Sequence, residues 1–67
     1  MDRKEYLLTC LIEECSEVQK EATKALRFGL DDRWKSQDSQ AQRITHEFCD
    51  LISVYEMLID EGLIEEV

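Results

Sequence analysis

The sequence predicts an all-α protein: a two-helix antiparallel hairpin that forms a four-helix bundle by self-association. Three observations predict it. Apolar residues recur at helical spacing over two long stretches. A polar connector carrying helix-stop and helix-start residues divides those stretches. The 67 residues contain no proline, and a chain this short buries little surface alone. It has no disulfide framework or thiolate metal site to staple it, so a partner copy is the default expectation.

The first helix is expected over about residues 3–28. Asp2 suits an N-cap, with Glu5 three residues on to complete a capping box. Leu8, Leu11, Ile12, Cys15, Val18, Ala22, Ala25 and Leu26 form its apolar stripe. Gly29 suits the position just past the helix, and Lys24 and Arg27 lie in the last turns, where cations suit the dipole. Residues 29–39 read as a connector, polar apart from Leu30 and Trp34. Ser39 with Gln42 fits a second capping box. The second helix is expected over about residues 40–61, with Ala41, Ile44, Phe48, Leu51, Ile52, Val54, Tyr55, Leu58 and Ile59 as its apolar set. Gly62 closes it, and a short tail ends at Val67. Residues 1–67 make one domain.

Composition narrows the function classes. Sixteen acids against eight bases give a net charge of -8. A nucleic-acid surface or an anionic membrane surface would need a basic patch. A small phosphorylated substrate remains compatible if a metal offsets the charge locally. Cys10, Cys15 and Cys49 form no Cys-x-x-Cys and have no histidines at zinc spacing, so reduced thiols are expected. No apolar signal core follows Met-Asp-Arg-Lys-Glu, and no apolar run approaches the ~20 residues that span a bilayer. A cytoplasmic location is the expectation.

The acids carry the chemistry. Glu14 with Glu17, and Glu47 with Asp50, are spaced three apart, so each pair points to one side of its helix. Laid antiparallel, the helices aim four carboxylates at one point. A hard divalent cation such as Mg²⁺, which takes oxygen ligands, resolves the repulsion. An isolated Glu-x-x-Glu is usually a solvated helix face. Glu47 is more telling, because it interrupts an apolar face, where a carboxylate is costly unless paired or bound to metal. A di-iron site is disfavoured, since His46 is not in a Glu-x-x-His.

The pattern Glu13-Glu14-x-x-Glu17 followed by Glu47-x-x-Asp50 resembles the all-α nucleoside triphosphate pyrophosphatases of the MazG-like superfamily. Leu11 to Gly29, and Glu47 to Leu58, are particularly similar to short members encoded by bacteriophages. The resemblance covers nearly the whole chain. It implies Mg²⁺-dependent cleavage of an NTP or dNTP to the monophosphate and pyrophosphate, with Mn²⁺ as a possible substitute. It implies Glu14, Glu17, Glu47 and Asp50 as metal ligands, with Glu13 orienting a water or a second ion. It also implies a homodimer or homotetramer, in the host cytoplasm if phage-encoded. Similar proteins often continue with further helical, basic sequence, whereas this sequence ends at Val67; a second copy is expected to supply that wall of the site.

Lys24 is a candidate for the phosphate tail, roughly 10 Å beyond Glu17 along the helix. Its alternative is a dipole partner. Arg27 is a weaker phosphate candidate. Trp34 can stack on a base or pack at a subunit contact, with packing favoured. Arg43, one turn before Glu47, is expected to pair with it. Two other function classes fit the same residues: a nucleotide-binding protein that sequesters without turnover, and an acidic helical-hairpin interaction module.

Overall fold

The computed structural model describes residues 1–67 except Trp34 and Ser36. Two helices account for most of the chain: α1, Arg3–Phe28, and α2, Gln40–Asp60. No strand occurs among the described residues. Both capping boxes form. The Asp2 carboxylate accepts from the Glu5 N–H at 2.8 Å, and Glu5 accepts in return from the Asp2 N–H at 3.4 Å. Ser39 Oγ accepts from the Gln42 N–H at 3.2 Å, and the Ser39 N–H donates to Gln42 Oε1 at 2.7 Å. The Ser39→Ala variant should lose about 1 kcal/mol of stability, readable as a lower urea midpoint.

Helix α2 ends at Asp60, one residue before the expected boundary. The reason is a paired C-terminal hydrogen-bond motif. The Gly62 N–H bonds the Ile59 carbonyl at 2.9 Å and the Leu63 N–H bonds the Leu58 carbonyl at 3.0 Å. That geometry needs a left-handed residue, and Gly62 supplies it at φ 71°.

The helices pack antiparallel. At one end Arg3 forks onto the Glu61 carboxylate, with its closest N···O distance 2.8 Å. At the other end Gln40 reaches back to Glu21. The connector folds alongside the last turns of α1. Its carbonyls receive the first N–H groups of α2: Gln40 donates to Asp32 at 2.7 Å and Ala41 to Leu30 at 2.9 Å. These donors would otherwise be orphans of the helix start.

Little of the chain is fully buried. Among the described residues the buried hydrophobic side chains are Leu7 and Leu58. The expected stripe on α1 centres on Leu8, Cys15 and Ala22, yet α2 packs to one side of it, against Leu7. Leu8, Ile12 and Leu26 are left exposed. The apolar stripe is wider than one neighbouring helix can cover. No helix among the described residues is long and apolar enough to cross a membrane.

Candidate metal centre

Three of the four acids expected to converge, Glu14, Glu47 and Asp50, do so across the hairpin. One carboxylate oxygen from each of Glu14, Glu47 and Asp50 lies within 4.8 Å of the others. Glu14 comes from α1, while Glu47 and Asp50 lie one turn apart on α2. Glu14 and Glu47 are half-buried and Asp50 is exposed. Glu17, half-buried, stands close by without joining that group of three oxygens. Its charge acts on Glu47 more strongly than that of Asp50 or Glu14. Glu13 is exposed and is not among the three.

Glu47 bears the strain of this convergence. Burial raises its carboxyl above the usual carboxylate range, and the charges of Glu17, Asp50, Glu14 and Glu21 raise it further. A cation among these oxygens would reverse that balance.

The donor set fits a hard divalent cation. All three groups are carboxylates, which suit Mg²⁺ or Mn²⁺ rather than a thiolate-seeking metal. Octahedral Mg²⁺ holds oxygens at about 2.1 Å, and so roughly 3–4 Å from one another. Partly exposed side chains whose oxygens lie within 4.8 Å of one another reach that spacing by small rotations.

A second group of charges, which the sequence reading missed, continues the seam. Glu21 is buried, one turn beyond Glu17. Gln40 is fully buried, at 0% exposure. Its amide donates to the Glu21 carbonyl at 2.9 Å and to the Glu21 carboxylate as well. Its Oε1 accepts from Arg43 Nη2 at 2.8 Å. Lys24 and Arg43 flank the same carboxylate at 3.6 and 3.9 Å. Burial pushes the Glu21 carboxyl up, but the Gln40 hydrogen bond and the Lys24 and Arg43 charges outweigh it and hold the group below its usual range. Arg43 therefore pairs with Glu21, and with Asp32 at 3.7 Å, rather than with Glu47. Sequence spacing shows i±3 and i±4 neighbours, whereas this partner comes from the other helix. One signal was available: Glu14, Glu17, Glu21 and Lys24 form one row on α1.

A pocket of about 380 Å³ opens beside these cations, lined by Lys24, Phe28, Asp32, Gln40 and Arg43. Its walls are mainly apolar. Asp32 brings the connector into that lining. Arg43 Nε is buried and has no hydrogen-bond acceptor. Arg27 is exposed, its guanidinium 5.1 Å from the centre of the Phe28 ring. Trp34 lies outside the described residues.

Comparison with protein-family models, curated proteins and solved structures found no match. The seam holds three converging carboxylates, a fourth beside them, then a buried ion-pair network and a pocket whose lining includes Lys24 and Arg43.

Proposed function

We propose that this chain is a Mg²⁺-dependent nucleoside triphosphate pyrophosphohydrolase of the MazG-like kind, cleaving an NTP or dNTP to the monophosphate and pyrophosphate. The observation that carries the reading is the order of groups along one seam. Carboxylates that suit a divalent cation adjoin a pocket whose walls hold two cations and an aromatic ring. A metal–triphosphate is a ligand that wants both.

Glu14, Glu47 and Asp50 would hold the ion, with Glu17 beside them. Bound there, Mg²⁺ would neutralise charge on the triphosphate and lower the pKa of a coordinated water. Glu17, outside the group of three oxygens, is the acceptor for the proton of the attacking water. The water oxygen bonds to the α-phosphorus, the bond from that phosphorus to the bridging oxygen breaks, and pyrophosphate leaves with the electron pair. Lys24 and Arg43 face the departing negative charge. Arg43 Nε offers a donor that an anionic oxygen can accept from. Phe28 gives an apolar surface for a flat ring.

The test is a panel of NTPs and dNTPs with Mg²⁺ or Mn²⁺. Equimolar pyrophosphate and monophosphate, with no orthophosphate, is the expected product pattern. Tight nucleotide binding without turnover would move the chain to the sequestering class. Neither binding nor a metal response would leave an interaction module.

A further inference from the structure

Four charges meet around the pocket lined by Lys24, Phe28, Asp32, Gln40 and Arg43, and they cancel. Lys24 and Arg43 are positive; Glu21 and Asp32, their ion partners, are negative. Cations balanced in this way offer an incoming anion no net attraction. One carboxylate has to give way before a phosphate group can settle on them.

The two carboxylates are held differently. Glu21 is buried and accepts a hydrogen bond from the Gln40 amide, which also bonds the Glu21 carbonyl at 2.9 Å. It cannot turn away without unseating the fully buried Gln40. Asp32 is looser. Its side chain is 28% exposed, against 8% for Glu21. Its carboxylate stands 3.7 Å from Arg43 Nη2, an ion contact longer than a hydrogen bond. The main chain of Asp32 is fixed instead. Its N–H donates to the Gly29 carbonyl at 3.3 Å, and its carbonyl accepts from the Gln40 N–H at 2.7 Å and from Arg43 Nη2 at 3.4 Å. The carboxylate can therefore rotate towards water about its own side-chain bonds while the backbone of the connector stays in place.

Arg43 also keeps hydrogen-bonding capacity in reserve. Its Nη2 donates to Gln40 Oε1 at 2.8 Å, but its Nε–H is buried and donates to nothing. A buried donor without an acceptor is costly, and a ligand oxygen that accepts from it gains that cost back. A guanidinium fork matches the oxygens of a phosphate group and makes charge-assisted bonds with them. The 3.7 Å contact to Asp32 is weaker than such bonds.

We infer that the Asp32 carboxylate is a built-in stand-in for a phosphate group on Arg43, balancing the cations in the absence of ligand and turning out to solvent when a pyrophosphate-type anion takes its place. The inference rests on the proposed reading of this pocket as the seat of the departing pyrophosphate, and it adds a regulation of that site. Asp32 competes with the anion for Arg43, so it holds affinity down, and its return favours release of the product.

Titration calorimetry with inorganic pyrophosphate in metal-free buffer tests this. Asp32→Asn keeps the side-chain shape and the backbone bonds but removes the charge. It should bind pyrophosphate about fivefold tighter than the wild type, the scale of one partly exposed ion pair. Asp31→Asn, exposed and next in sequence, changes the net charge equally and should stay within about twofold of the wild type. A purely structural ion pair predicts the opposite for Asp32→Asn: Arg43 loses a restraint and pyrophosphate binds more weakly. The wild type supplies a measurement that needs no variant to fold. In NMR spectra, pyrophosphate should shift the Asp32 carboxyl and Arg43 Nε–H resonances together. Unchanged or weaker binding in Asp32→Asn, an equal gain in Asp31→Asn, an unmoved Asp32 carboxyl resonance, or no pyrophosphate binding by either protein would overturn the inference. Turnover assays separate it from the hydrolase reading. No hydrolysis with the fivefold gain intact removes the hydrolase and keeps the stand-in, and hydrolysis without the gain does the reverse.

Discussion

Replacing Glu47 by glutamine should raise stability without metal and lower both the metal response and pyrophosphate release. Without divalent cations the variant should be more stable than the wild type. The Glu47 carboxyl is raised in the folded chain, so the folded state holds that proton more tightly than the unfolded state. Stability therefore falls as pH rises from the unfolded towards the folded pKa, and the deficit persists at neutral pH. Glutamine removes the charge and the deficit with it. The group is partly exposed and screened, so the gain is about 0.5–1 kcal/mol, the scale of a few like-charge helix neighbours. With Mg²⁺ the order should reverse. A ligand at a hundredfold excess over its Kd stabilises the wild type by about 2.7 kcal/mol, and the variant should gain little of that. Pyrophosphate release should fall by more than about 100-fold, because groups that merely support a metal ligand already cost 10–100-fold. Melting curves with and without Mg²⁺, alongside the pyrophosphate assay, read all three. Full activity, or an undiminished metal response, would remove Glu47 from the metal set. The same loss of activity is expected for Asp50→Asn.

The Gln40→Met variant should be the most destabilising single change on this seam. Methionine keeps the volume, so the loss reports the hydrogen bonds. Gln40 bridges the Glu21 carbonyl, the Glu21 carboxylate and Arg43 from a fully buried position. Removing it strips the main hydrogen-bond support from a buried carboxylate, at a cost of about 2–4 kcal/mol. For a domain this small the melting temperature falls by more than about 10 °C. Acid sensitivity should change in a defined direction. Glu21 is held below its unfolded pKa, so it contributes stability above that pKa and loses it as pH falls through the folded one. With Gln40 gone, burial still acts on the Glu21 carboxyl while part of the opposition has been removed. The acid-unfolding midpoint should then move to higher pH. A variant as stable as the wild type, with an unchanged acid midpoint, would show that Gln40 and Glu21 do not depend on each other.

The helices were readable because their signals are local. The Asp2–Glu5 and Ser39–Gln42 boxes each act within four residues, and Gly62 closes α2 through its own backbone. The pairs Glu14/Glu17 and Glu47/Asp50 were readable for the same reason: spacing fixes a direction on one helix. Gln40 was not readable, because a polar residue at a helix start ordinarily faces water. Its environment depends on the other helix, where Glu21 accepts its amide hydrogen bonds. Arg43 was read towards Glu47, its neighbour in sequence, while its acidic partners are Glu21 across the hairpin and Asp32 in the connector.

By itself, then, the sequence determined two capped helices, where each stops, and which acids share a helix face. Those properties follow from backbone chemistry and a 3.6-residue period. Tertiary structure alone decided the rotation of each helix against the other. That rotation put Leu7, rather than the middle of the apolar stripe, against α2. It brought Glu14 to Glu47 and Asp50, buried Glu21 beneath Gln40, and left Ile12, Leu26 and Phe48 uncovered. The physical reason is that the apolar stripe on each helix is broader than one neighbour. Periodicity fixes the stripe, and only packing decides which part of it the neighbour takes.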